Sequence, residues 1–459
     1  MVMMEGASKW LLYVAGGLIV LRFFLRNVNW LLYEYRLGGK QYFLPPGDMG
    51  WPLIGNMWSF LSAFKSNNPE TFIESFYNKY GKAGIYKALM FGNPSVIVTT
   101  PEACKKVLTD DDKFSLGWPK STVELMGEKS FISIPADEHK RLRRLTSASI
   151  NGFEALSVYI TYIESVVKSS LEKWTTMGEI EFLTEMRKLT FKVIIHIFLS
   201  SETEDVIEAL EKEYTALNLG IRAFAINIPG FAFHKAFKAR KNLLAVFQTI
   251  VDKRRKERMG KLPAKKAKDM MDSLLDLEDE NGRKLGDDDV IDIMLMYLNA
   301  GHESSGHTTM WATYFLQRHP EYFKKAKVID ETLRIITFSL MVFREAKSDV
   351  NINGYLIPKG WRVITWFRGI HLDPEIYPNP KEFNPERFSE VRKAGEFLPF
   401  GAGTRLCPGN DLAKLEISVF LHYFLLNYEL EQTNPNAPLR FLPHIKPVDN
   451  CLARIKRVK

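Results

Sequence analysis

Near its C-terminus the chain carries Phe397-Leu-Pro-Phe-Gly-Ala-Gly-Thr-Arg-Leu-Cys-Pro-Gly-Asn410, and this stretch limits the fold more than any other. Glycines and prolines punctuate it as far as Gly409, and an amphipathic pattern begins at Asn410. Cys407 must therefore sit in a loop immediately before a helix N-terminus. There the amide N–H groups and the helix dipole favour a thiolate. Gly403 and Gly409 let backbone crowd the sulfur, and Arg405 offers a guanidinium fork to a nearby anion. A cysteine in such a loop, taken alone, is ordinarily a buried structural residue. The full spacing Phe400-x-x-Gly403-x-Arg405-x-Cys407-x-Gly409 is far more demanding. No second Cys or His stands beside the thiol, so a thiolate here suits a haem iron better than zinc.

The other cysteines, Cys104 and Cys451, are too scattered for a disulfide framework or a zinc finger, which favours a reducing compartment. The formal charge is +8 over 459 residues. It is not gathered into a stripe with interleaved aromatics, so no nucleic-acid partner is expected. Basic runs at Lys253–Arg258 and Lys261–Lys268 read as solvated faces, or as attraction for an acidic partner or anionic headgroups. The run Trp10–Leu25 is the only candidate membrane segment, with Arg22 and Arg26 placed to snorkel at its end. No small-residue cleavage site follows it. Arg36 and Lys40 beyond it, against Glu5 and Lys9 before, put the main body in the cytosol.

Pro45-Pro46-Gly47 to Gly55-Asn56 reads as a semi-rigid spacer. Residues 85–100 read as strand, broken by a turn at Gly92-Asn93-Pro94. Helical periodicity dominates 100–330, clearest at Phe153–Trp174, Val206–Leu217 and Ala236–Arg258. A second strand-rich patch lies at Val350–Trp366, and helix resumes over Asn410–Asn427. The whole is mainly α with a minor β portion.

Asp289–His319 reads as one helix roughly 45 Å long. Its apolar first half leads into Gly301-His-Glu-Ser-Ser-Gly-His-Thr-Thr309. Polar groups inside a long buried helix are costly unless bonded or used. The notch either merely kinks the helix or carries a function. His302 and His307 read as structural.

Taken together these stations resemble the cytochrome P-450 superfamily. The resemblance implies that fold, with an N-terminal membrane anchor, and haem b with Cys407 as axial ligand. Phe400, Gly403 and Gly409 shape the cysteine loop, and Arg405, Arg143 and Arg344 match cations for the haem propionates. His139 stands where the family often has Trp. Ala300, Gly301, Glu303 and Ser304 match the oxygen-activation motif. Gly301 would clear space for dioxygen, while Glu303 and Ser304 deliver protons through water; Ser304 stands where threonine is usual. Glu331, Arg334 and Arg387 match a buried carboxylate held by two guanidinium forks. Further partners implied are NADPH-cytochrome P-450 reductase, dioxygen, membrane lipid and a small terpenoid. The location implied is the endoplasmic reticulum membrane, with the catalytic domain cytosolic. The boundaries implied are an anchor over 1–27, a linker and Pro-rich hinge over 28–56, and a catalytic domain over 57–459.

Stretches such as PPGDMGWPLIGN, MLMYLNAGHESSGH and CPGNDLAKLEIS look like the plant ent-kaurenoic acid oxidases of gibberellin biosynthesis, which oxidise ent-kaurenoic acid successively to gibberellin A12. The triterpenoid β-amyrin 11-oxidases share many of these strings. An apolar wall for a polycyclic substrate is expected from Phe114–Ile134, Asn218–Ile226, Met296–Ala300, Ile336–Val342 and Phe441–Pro443. One departure stands out. Between His319-Pro320 and Glu331 the family normally has a further helix and connector, so the chain is short near 327–328. Glu321–Ile336 is then free to run as one helix and carry Glu331 and Arg334 away from Arg387. A haem-poor, inactive product is the expectation on that route. A haem-thiolate isomerase is the remaining alternative, which Glu303-Ser304 disfavours.

Overall fold

A computed structural model describes residues 2–200, 204–221, 223, 225–258, 269–279, 282–323, 327–442 and 444–458. It is mostly helical with minor sheet. The chain falls into two compact units, Met1–Gly117 with Met341–Gly369, and Trp118–Leu340 with Ile370–Lys459.

The first unit begins with helix α1 (Val2–Asn29). Among the described residues, one helical stretch, Tyr13–Phe43, is apolar and long enough to cross a membrane. Ile19, Phe23 and Phe24 are exposed on it, as an anchor requires. The side chains of Arg22 and Arg26 lie outside the described set. The sheet of this unit contains β1 (Ile85–Met90), β2 (Asn93–Val98), β3 (Phe114–Leu116), β4 (Met341–Ala346) and β5 (Arg362–Trp366), in the order β1-β2-β5-β4-β3. Phe91 and Gly92 both take positive φ, so the β1–β2 turn comes one residue earlier than the sequence suggested.

The strip 45–56 is more than a spacer. Lys87 N–H donates to Pro46 O at 2.9 Å, and Asn56 N–H donates to Leu89 O at 2.9 Å, which lays the strip along β1. A Cβ on Gly55 would stand 2.1 Å from Leu89 O, so only glycine allows that approach. Asn29 at the end of α1 donates its amide to Met49 O and Trp51 O, both at 2.8 Å.

The second unit is a helical body made chiefly of α2 (Ala136–Asn151), α3 (Phe153–Thr176), α4 (Phe182–Leu199), α5 (Glu204–Ile221), α6 (Ala232–Arg258), α7 (Asp287–Arg318), α8 (Val328–Ile336) and α9 (Asn410–Asn427). α7 runs through its core, with most of Val290–Leu316 buried. The basic end of α6 is partly paired with acidic side chains. Arg254 pairs with Asp269 (2.6 Å) and Asp272 (2.8 Å), and Arg258 with Asp276 (2.7 Å). The run Lys261–Lys268 lies outside the described residues.

The shortened segment does not form one helix. A 3-10 turn spans Pro320–Tyr322, and α8 starts only at Val328; 324–326 lie outside the described residues. α8 buries Val328, Leu333 and Ile336 and packs against α7, so the chain must reverse after His319. Burial of that face outweighs helix continuity.

Candidate active site

A cysteine loop and several buried carboxylates mark the second unit. The thiol belongs to Cys407, which is half-buried. Its N–H donates to Phe400 O at 2.9 Å, and Leu406 N–H donates to Gly403 O at 3.1 Å, closing the loop on itself. Gly401 and Gly403 take φ of 76° and 73°, which L side chains rarely adopt. Gly409 is different: a Cβ there would meet nothing within 4 Å, so crowding by protein atoms does not require it. Burial raises the Cys407 thiol above its ordinary pKa, opposed by the Gly409 N–H and the Arg143 guanidinium. Burial thus works against the thiolate form that the Gly409 N–H and Arg143 favour.

Arg143 on α2 is half-buried and has no carboxylate partner among the described residues. Arg405 donates to Phe131 O at 3.2 Å. His139 is buried edge-on against the Phe131 ring. In the first unit, Arg344 is buried on β4, where it donates to Leu108 O (3.1 Å) and lies 3.6 Å from Asp111.

Behind the loop, Glu331 is fully buried and doubly bonded to Arg334 at 2.7 Å through each oxygen. Arg387 Nε donates to the same carboxylate at 3.3 Å and Asn384 N–H at 3.0 Å. Arg334 also donates to His371 O (2.6 Å) and Pro380 O (2.8 Å). His371 in turn accepts from Leu398 N–H at 2.9 Å, the entrance to the cysteine loop. Glu331 and Arg334 thus remain with Arg387, and the feared displacement does not occur. The anchoring contacts reach carbonyls beyond Ile370, which the shortened segment leaves untouched.

On α7, Glu303 lies 2.7 Å from Arg187 Nε of α4 and 3.4 Å from His307 Nδ1. Ser304 points elsewhere, donating to Ala300 O at 3.0 Å. Thr308, Thr309 and Thr313 make the same back-bond one turn down, which settles their hydroxyls in the buried helix. A Cβ on Gly301 would stand 3.1 Å from Ile194 of α4, so the absent side chain lets the two helices pack closely. Gly306 meets Thr190 and Arg187 in the same way. His302 packs edge-on against Phe191. Burial lowers His307 to about 4 and keeps it neutral. No group of three or more potential metal ligands occurs among the described residues.

Two participants were missed in the sequence. Arg187 stands beside Glu185 and Lys188 on α4, where nothing local sets it apart from a surface charge. Glu416 on α9 is buried, and burial pushes its carboxyl up to about 8 against the Ser305 hydroxyl of α7. Its signal was a glutamate on the apolar face of the helix after Cys407.

The cytochrome P450 family model matches residues 45–327 and 326–449. The chain belongs to the cytochrome P450 family. This P450 is 59% identical to ent-kaurenoic acid oxidase 2 of Arabidopsis thaliana, over 98% of each chain. It is 46% identical to β-amyrin 11-oxidase of Glycyrrhiza uralensis, over 100% of this chain and 98% of the other. The retinoic acid-bound cyanobacterial CYP120A1 superposes with a TM-score of 0.80 at 25% identity, covering 90% of this chain and 99% of that one. The family match breaks where the sequence is short. The Arabidopsis alignment spans 478 positions against 459 residues, leaving at least 19 without a counterpart in this P450.

As a P450 it is a monooxygenase, and the family implies a haem. The residues fit one. A half-buried thiol stands at the end of a folded loop, with Arg143 near enough to act on its charge. That guanidinium, half-buried and without a carboxylate, suits the carboxylates of a haem edge.

Proposed function

We propose that this P450 oxidises ent-kaurenoic acid successively to gibberellin A12, with haem b, dioxygen and electrons from NADPH-cytochrome P-450 reductase. The carrying observation is the 59% identity to an ent-kaurenoic acid oxidase over nearly the full chain. α1 holds the protein in the endoplasmic reticulum membrane with the catalytic body in the cytosol. Cys407 is the axial thiolate, held by the loop from Phe400 through Gly403 to Gly409. Arg143 and Arg405 serve the propionates.

When bound, the haem supplies activation of dioxygen for insertion into a C–H bond. The protein's part is to position the substrate and to meter protons. Glu303 is the acid and Ser304 the hydroxyl nearest the reaction. Both are engaged at rest, Glu303 with Arg187 and Ser304 with Ala300 O. Proton delivery requires Ser304 to release that carbonyl and Glu303 to loosen from Arg187. Glu331, Arg334 and Arg387 keep the cysteine loop in place, so the shortened segment does not by itself prevent haem loading.

Microsomes containing the reductase, incubated with ent-kaurenoic acid and NADPH, should yield gibberellin A12 by mass spectrometry. A reduced, CO-treated sample should show a full-intensity thiolate-type Soret band. Oxidation of β-amyrin instead would move the assignment to the triterpenoid reading, which the 46% relative supports.

A further inference from the structure

α7 opens to solvent at one place in its buried middle. Ala300 is exposed, and Asn299, Gly301 and Ser304 are partly so, whereas Leu298, His302 and Ser305 are buried. Two of these accessible residues carry polar side chains. The Ser304 hydroxyl is used on Ala300 O. Asn299 differs. Its carbonyl accepts from the Asn218 amide of α5 at 3.1 Å, while its own NH2 has only Met126 Sδ at 3.8 Å among the described residues.

Asn218 is itself buried. A buried side-chain amide is costly unless bonded, and the Asn218–Asn299 hydrogen bond offsets part of that cost. A thioether is a weak acceptor, and an amide NH2 has two protons to give. Asn218 therefore fixes the Asn299 amide with its donor end uncommitted. Glu303, the nearest carboxylate in sequence, is turned to Arg187, so it does not compete for that donor.

We propose that Asn299, oriented by Asn218, is the specificity-determining residue that receives the carboxyl group of the diterpenoid acid. The proposal rests on the diterpenoid reading above and names the polar contact which that reading lacks. Asn299 precedes Ser304 by five residues, about 7.5 Å along the helix axis. The carboxyl of ent-kaurenoic acid sits on the ring next to the B ring that is oxidised, so the span suits a substrate held at one end and oxidised beside it. An amide N–H on a carboxylate is a charge-assisted bond, stronger than one to a neutral oxygen.

The test titrates the haem-loaded protein with ent-kaurenoic acid and with its methyl ester, reading the Soret shift, at equal haem content for each variant. Asn299→Asp keeps size but repels an anion. It should weaken acid binding at least about tenfold and leave the ester within about twofold. Asn299→Leu should do the same less steeply, and Asn218→Leu, which only frees the Asn299 amide to turn, less again. Wild-type binding of the acid with equal losses for acid and ester, or with no loss in either Asn299 variant, overturns the anchor alone. Wild-type protein that binds β-amyrin but not the acid overturns the anchor and the diterpenoid reading together.

Discussion

The larger unit contains two buried Glu–Arg pairs built to opposite specifications. Around Glu331 every strong donor has an aligned acceptor. Two guanidinium groups and a backbone N–H close on one carboxylate, and the spare guanidinium protons reach His371 O and Pro380 O. Around Glu303 the contact is as short, 2.7 Å to Arg187, but the Arg187 Nε–H is not aimed at the oxygen. A saturated network has no reason to move. An ion pair whose donor is not aligned rearranges more easily than a saturated network. The first is built as a scaffold, and the proposed function makes the second the working part, although E-x-x-R and G-x-E-S look equally plain as sequence.

The sharpest way to break this contrast is to remove the scaffold carboxylate. Glu331→Ala leaves Arg334 buried and uncompensated, so it should cost about 3–5 kcal/mol. Thermal and denaturant unfolding read this directly, with loss of haem from the expressed protein as a companion. A cost below about 1 kcal/mol would show that the loop stands without the network.

The second effect is pH-dependent and belongs to the working pair. His307 beside Glu303 titrates at about 4 in the folded protein, because burial disfavours its cation. Unfolded, it titrates near its ordinary 6.5. Between those values the unfolded chain binds more protons, so stability present above pH 6.5 is lost progressively as pH falls to 4. The loss is on the order of 3 kcal/mol. His307→Gln should flatten that limb of the stability curve, and an unchanged slope would assign it to other groups.

Third, Glu303→Gln should leave unfolding and haem content nearly unchanged while turnover falls about 100-fold. The solvent isotope effect should rise with it. If Glu303→Gln unfolds the protein as Glu331→Ala does, the distinction between the two pairs fails.

How much of this was readable beforehand follows the same division. The Cys407 loop and α9 were legible because glycine, proline and helical periodicity are local signals; the helix lies at Asn410–Asn427 as read. The β1–β2 hairpin was legible for the same reason, to within a residue. The contacts of Glu303 were not legible, because Arg187 lies on another helix and nothing local announces it. The strip 45–56 misled because prolines suggest a spacer, whereas its glycines allow it to lie against β1. The shortened segment misled in the other direction. Local propensity allowed a continuous helix over Glu321–Ile336, and burial of the α8 face against α7 decided otherwise.

The smallest effect concerns Ser304, where the family usually has threonine. Ser304 donates to Ala300 O, the i−4 carbonyl, and threonine makes the same back-bond in one of its helical rotamers. The added methyl would enter the accessible face of α7, not the packed contact with α4. Ser304→Thr should therefore keep product formed per NADPH consumed within about twofold, since only rotamer preference changes. Ser304→Ala should lower that ratio clearly more, because the hydroxyl itself is lost while the helix stays folded. Equal ratios for Ala and Thr would remove Ser304 from the relay and leave Glu303 to act through water alone.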